Sequence, residues 1–320
     1  MKNGFWTLRY TLINVTYFVA FCTIHALAAV YLLANGFSNT EVGILLAVAN
    51  VVSAILQPVF AGIIDKPGPL SNRRFIIISV MIIMAGSFIL LFAGNNKPLI
   101  FVIYALIYMI QFAYQPVVTA LCFEYQKAGC DIYYGLARGL GSASFAVTSA
   151  FIGGAVEKRG VGILLTVNII SMILSAIVVF TFKMPKNAAA DKNTDERTVT
   201  EPQKESEAVA HNNIADFAKT YPAFAVFLAG TICFFFAHNM INDFMIQIIR
   251  NLGGSETQLG YANFLQAILE LPVMAVIGFF LKKISSDKML IFSGMAFFVK
   301  ILILIFATNM AMMYLSQSFQ

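Results

Sequence analysis

The sequence predicts an all-α membrane protein built from two similar groups of spanning helices, and three observations carry that reading. Of its residues, 59% are hydrophobic and only 12% charged, with a mean hydropathy of +0.79, far from the balance of a water-soluble domain. The apolar residues fall in runs of about 20, the length an α-helix needs to cross hydrocarbon, with no sign of the ten-residue alternation of a membrane barrel. A short pattern that opens one apolar run opens another later in the chain.

Taken in order, apolar runs and breakers place spans near 11–34, 41–64, 75–93, 99–122, 134–155 and 161–182. The first is preceded by Lys2 and Arg9 and contains Ala26-Leu27-Ala28, the outline of a signal peptide, but it runs on to Ala34 and many spans follow. From Lys183 to Lys219 the chain turns polar, with too few large apolar side chains to form a core of its own. Further spans follow near 221–249, 255–281 and 289–307, with a last apolar piece from Met310. The organisation expected is a six-helix N-terminal bundle over 1–182, a cytoplasmic linker over 183–219 and a partial C-terminal bundle over 220–320. Pro58, Pro116 and Pro272 lie inside spans, where each removes a backbone hydrogen bond and permits a kink.

The repeat fixes how the groups relate. Gly36-Phe-Ser38-Asn-Thr40-Glu-Val-Gly43 opens the second span, and Gly253-Gly-Ser255-Glu-Thr257-Gln-Leu-Gly260 opens the eighth in the same register, Gly36 answering to Gly253. Ser79, Met81, Phe92, Ala93 and Asn95 of the third span reappear as Ser293, Met295, Phe306, Ala307 and Asn309, at a slightly smaller offset that a shorter loop absorbs. Two matches in register across consecutive helices indicate duplication of a six-helix unit in parallel orientation. By that correspondence roughly 80 residues of a full second unit are expected beyond Gln320.

Charge and cysteine usage narrow the classes. Counting loops with the N-terminus inside gives fifteen Lys and Arg on the cytoplasmic side against four outside, which orients the chain as a multi-pass inner-membrane protein with a cytoplasmic N-terminus. The net charge of +5 is spread over those loops and does not indicate nucleic acid. Cys22, Cys122, Cys130 and Cys233 form no CxxC pair, and His25, His211 and His238 are scattered, so neither disulfide nor metal is expected. No phosphate-cradling Gly-rich loop ending in Lys-Ser or Lys-Thr, no HExxH and no Gly-x-Ser-x-Gly occurs, which argues against ATP drive, enzymatic chemistry and a bound cofactor.

Two segments carry a resemblance. Asp65-Lys66-Pro67-Gly68 followed by Arg73-Arg74 resembles the D-[RK]-x-G-[RK]-[RK] loop between helices 2 and 3 of the major facilitator superfamily, although Gly62 stands three residues before Asp65 rather than four. Gly135-Leu-Ala-Arg138-Gly-Leu-Gly141-Ser142 is similar to the Gly-x-x-Arg-x-x-Gly segment of the oligosaccharide:proton symporter group, which includes lactose permease, and of related nucleoside and phenylpropionate permeases. The resemblance implies a major facilitator fold of about nine full spans and a partial tenth. It implies that Asp65, Gly68, Arg73 and Arg74 form a gating loop and that Arg138 binds solute hydroxyls or carboxylates. Ala120 stands where lactose-type permeases have a helix-4 carboxylate, with Glu124 one turn later, and Phe145 replaces the tryptophan seven residues after the arginine. Galactoside specificity is therefore not implied.

Ionisable residues inside spans cost at least about 2.5 to 3.5 kcal/mol at the membrane centre and default to functional roles. They are His238 and Asp243 in the seventh span, Glu270 in the eighth and Lys300 in the ninth. Glu270, in Glu270-Leu-Pro272, is the first choice for a proton site and Asp243 the second, with His238 and Lys300 as partners in coupling. His25, Phe145 and Asn242 join Arg138 as candidate solute contacts. The function expected is import of a small polar solute, an oligosaccharide or glycoside ahead of nucleosides and aromatic acids, together with protons, by a monomer in membrane lipid. A proton-coupled exporter and a transport-dead truncated chain are the alternatives. The residues leave the solute, the direction and the choice of proton or sodium open.

Overall fold

The computed structural model describes residues 3–65, 70–184, 219–280 and 283–319. Its helices are α1 (Asn3–Phe21), α2 (Ala28–Ala34), α3 (Asn39–Ile64), α4 (Asn72–Leu91), α5 (Lys97–Lys127), α6 (Tyr134–Arg159), α7 (Gly162–Thr181), α8 (Pro222–Asp243), α9 (Met245–Asn251), α10 (Glu256–Phe280), α11 (Ser286–Ile305) and α12 (Met310–Gln317), with a π-helical turn (Cys22–Ala26) between α1 and α2. Among the described residues seven helices are long and apolar enough to cross a membrane, and α1 with α2 makes one further span bent by 49°. Gly68 and nearly all of the 183–219 segment lie outside the described residues.

The chain divides into two compact units, one containing residues up to Lys183 together with those from Asp243 onward, the other containing α8 up to Asn242. In the first unit α1 packs on α6 and α7, α4 on α5 and α7, α3 on α5, α6 on α10, and α11 on α12. In lipid the tails are as apolar as leucine, so packing and short polar bridges hold such helices together. Asn168 Nδ2 donates to Ser87 Oγ at 2.7 Å, and Ser171 Oγ donates to the Thr16 carbonyl at 2.6 Å. Large apolar side chains such as Phe151 stand exposed on the outer faces, as a lipid-facing surface requires. The second unit's α8 carries no buried residue.

α1 starts well before its apolar run because polar and aromatic contacts hold its first turns. Trp6 sits edge-on to Tyr125 and Phe182, and Arg9 Nη1 donates to the Thr181 carbonyl at 2.7 Å. Hydropathy registers only the hydrocarbon-crossing part. Pro116 cannot donate to the Phe112 carbonyl one turn back, and Gln57 Nε2 reaches that carbonyl from α3 at 3.4 Å.

The duplication extends through the backbone. Gly36 and Gly253 both have φ of +79°, the left-handed region that favours glycine. Ser38 and Glu41 form a reciprocal capping box at the start of α3. Their counterparts Ser255 and Gln258 bond to one another at the start of α10, where Ser255 N donates to Gln258 Oε1 at 2.9 Å. α4 and α11 are both 20 residues long and begin at matching places in the two copies, Asn72 and Ser286. Asn96 and Asn309 each cap the helix that follows, so the second loop is one residue shorter still than the Asn95–Asn309 match implies.

Candidate functional site

The arginine segment is shaped by a close helix crossing. A Cβ on Gly141 would come within 2.7 Å of the Phe18 ring, so glycine is what lets α6 approach α1 there. One turn before it, the Arg138 guanidinium lies over the same Phe18 ring, 4.2 Å from its centroid, and Nη1 donates to Ser142 Oγ at 2.9 Å. Arg138 is half-buried and enters no ion pair among the described residues. Most of its planar fork is unspent, and a permanently charged fork of this kind recognises carboxylates and hydroxyls.

Beside it runs an aromatic wall. Phe21 of α1 lies 6.3 Å from Phe145 of α6 and 5.7 Å from Phe112 of α5, ring centre to ring centre, and all three rings are half-buried. Behind Phe21 the His25 ring stacks at 4.2 Å and 11°, and it also meets Tyr108 at 3.8 Å and Phe112 at 4.7 Å. His25 is 6% exposed and neither ring nitrogen has a hydrogen-bond partner. It belongs to the π-helical turn, a local widening often found at functional sites. Tyr104 Oη donates to the carbonyl of Ile24 within that turn at 2.6 Å, so α5 holds the distortion in place. The Gln111 side chain, also on α5, is fully buried with neither its amide nitrogen nor its oxygen partnered.

The break has a counterpart. Leu27, with φ −115° and ψ 20°, separates the π turn from the seven-residue α2. Phe244, at the offset that carries Gly36 to Gly253, has φ −105° and ψ 13° and separates α8 from the seven-residue α9. Asp243 thus ends α8 at the second break. The neighbouring Phe244 ring comes within 3.3 Å of where a Cβ on Gly43 would stand. Within the second unit Asn242 Nδ2 and His238 Nε2 are 2.9 Å apart across one turn of α8.

The sequence candidates therefore separate into groups. Arg138, Phe145 and His25 line one continuous wall, while Asp243 stands at the second break. Glu270 is exposed on α10 and enters no hydrogen bond or ion pair among the described residues. Lys300 is fully buried on α11. In the first repeat its place belongs to Gly86, where a Cβ would stand 2.5 Å from Ile107, so the two copies pack differently at this register. Of the loop residues, Arg73 donates to the carbonyls of Val179 and Phe180 at 2.9 and 2.7 Å, which caps the last turn of α7. Asp65 ends α3 and enters no ion pair among the described residues. No group of three or more His, Cys, Asp or Glu converges among the described residues either. Sequence reading missed Phe18, Phe21, Tyr104, Tyr108 and Phe112. The signal available was Tyr104, Tyr108 and Phe112 at four-residue spacing on one face of α5.

A family model described as the MFS_1 like family matches residues 10–320. No curated protein matches the chain. Among solved structures, the crystal structure of the nucleoside transporter NupG is similar with a TM-score of 0.72 at 15% identity, over 98% of this chain and 78% of that one. The D323A mutant of NupG is similar with a TM-score of 0.69 at 16% identity, over the same shares. At such identity the likeness is one of fold.

Proposed function

The chain belongs to the MFS_1 like family and is a multi-pass secondary transporter, and from that premise we propose that it imports a small polar glycoside together with protons by alternating access. Nucleosides are the first solutes to test. They combine a hydroxylated sugar, which the Arg138 fork can grip, with a planar ring that can lie on Phe145 and Phe21. The observation that carries this reading is Arg138, a half-buried cation inside a membrane wall, held by one serine and one aromatic face with no carboxylate against it. A charge so placed is costly unless it is used.

Proton coupling draws support from the intramembrane carboxylates. Glu270 and Asp243 can each be neutralised by a proton, so their charge can follow the transport cycle. The loop charges support a cytoplasmic N-terminus and an inner-membrane location. The test is uptake of radiolabelled uridine into liposomes carrying the protein, under an imposed inside-alkaline pH gradient. Uptake that collapses with a protonophore and ignores sodium is expected. Uptake that needs sodium and ignores the protonophore would overturn the coupling ion, and a panel of nucleosides and glycosides none of which is taken up would overturn the solute class.

A further inference from the structure

We propose that Glu157 is a clasp that holds the carrier shut on the membrane face opposite its N-terminus, and that its bond to α10 breaks each time the solute wall opens to that face. The clasp presupposes alternating access but neither the solute nor the coupling ion suggested above.

Three observations converge on it. The first is a hydrogen bond between the two repeats. Glu157 Oε1, near the end of α6, accepts from Thr257 N in the first turn of α10 at 2.9 Å. That N–H is one of those that no residue of its own helix can take, and negative charge is favoured there. Glu256, beside it, pairs with Arg250 at 2.6 Å and so is spent within the second repeat.

The second is that the glycine ending each copy of the helix-start motif faces the opposite repeat. A Cβ on Gly260 would strike the Ser149 carbonyl, and one on Gly153 would strike that of Glu256. Gly43, which answers to Gly260, lies against the Phe244 ring, and Gln247 Nε2 donates to Asn39 Oδ1 at 3.1 Å one turn away. The third is where burial falls. On α10, Leu259, Gly260, Ala262 and Ala267 are buried, whereas Leu269, Glu270, Val273 and Val276 are exposed. The contact therefore belongs to the half of α10 nearer Glu157. Along α6 the order is Arg138, Phe145, Ser149, Gly153 and Glu157, so the crossing lies between the solute wall and the closed face.

The glycine contacts are packing alone and are lost together once the helices part. The carboxylate bond is charge-assisted and directional, so it fixes the register in which they close. Glu157 is exposed, and water can take its place on Thr257 N, which makes the clasp reversible.

The test is the distance between spin labels on Lys158→Cys and Tyr261→Cys, both exposed positions, with the protein in lipid and no solute added. Cys233→Ser removes the exposed native thiol, while Cys22, Cys122 and Cys130 are buried. With Glu157 present, a main short distance and a minor longer one are expected. Glu157→Ala is expected to raise the ratio of long to short at least about fivefold, the effect of losing a helix N-cap. Glu157→Gln, which keeps an acceptor without the charge, should raise it by less. A lower unfolding midpoint in Glu157→Ala with no gain in the longer distance would make the residue a static tether and overturn the clasp. Two distances whose ratio ignores residue 157 would also overturn it, while leaving alternating access in place. One unchanging distance in all three proteins would overturn both. Uridine uptake enters none of these readings.

Discussion

The solute-binding role proposed for Arg138 agrees with how its side chain is held. Its one hydrogen bond goes to Ser142 and its face rests on Phe18, so the remaining donors are fixed in direction without being consumed. Lysine cannot reproduce a planar fork, and Arg138→Lys is expected to raise the KM for solute at least tenfold, or about 1.4 kcal/mol. Unchanged KM in Arg138→Ala would reduce the residue to an orientation signal. Gly86 makes the opposite case. A side chain there would strike Ile107, and Gly86→Val is expected to cost about 1 to 3 kcal/mol by overpacking, measured as a lower unfolding midpoint in detergent. Arg138 was legible in the sequence because its motif and its position inside a span are both explicit. His25 was less so, since a lone histidine in an apolar run carries no mark of whether its nitrogens are satisfied, and only the ring contacts with Phe21, Tyr108 and Phe112 reveal that they are not.

Among the elements, most helix ends lie within about four residues of the apolar runs, the start of α1 and the end of α5 excepted, whereas the helix interruptions were not anticipated. The caps follow local rules: Ser38 with Glu41, Ser71 on Arg74 and Asn96 on Leu99 each satisfy a backbone N–H with a side chain a few residues before it. Ser38→Ala is expected to cost about 1 kcal/mol of stability, with Ser255→Ala a similar amount if the duplicated starts are energetically alike. A loss confined to one of the two would show the copies to have diverged. The π turn carries no proline or glycine, so no breaker announced it. Across the two breaks only Ile24 and Ile241 match between Cys22–Ala26 and its counterpart segment 239–243, and the turn before the break is π-helical in the first copy and α-helical in the second. Proline was the signal used for kinks, yet the 49° bend sits at Leu27. The crossing of α6 on α10 depends on Gly153 and Gly260, where added side chains would strike the carbonyls of Glu256 and Ser149. Glu157 adds a carboxylate that accepts from Thr257 N at 2.9 Å, favourable at a helix N-terminus. A Cβ on Gly154 would stand 3.5 Å from Thr257 Oγ1, close enough for cysteines placed at 154 and 257 to be cross-linked. Gly153→Val is expected to separate the two helices and to abolish that disulfide. Cross-linking as efficient as in the glycine-bearing protein would contradict this packing.

For the molecule as a whole, the fold was legible because membranes allow few solutions: span length, loop charge and a repeat offset leave little freedom. The aromatic wall proposed to hold solute was legible only where a motif marked it. Its aromatic members come from α1, α5 and α6, and no local pattern states that Phe21, Phe112 and Phe145 will meet. In the mechanism proposed, the chain is a carrier that holds solute on Arg138 and the aromatic rings. Its central claim is that solute and proton move in one step and in one direction. The most direct measurement is the internal pH of sealed liposomes bearing the protein when an inward uridine gradient is imposed with no pH gradient present. The predicted result is acidification that tracks uridine entry and disappears in Asp243→Asn. Uridine entry with no change in internal pH, or with alkalinisation, would contradict it.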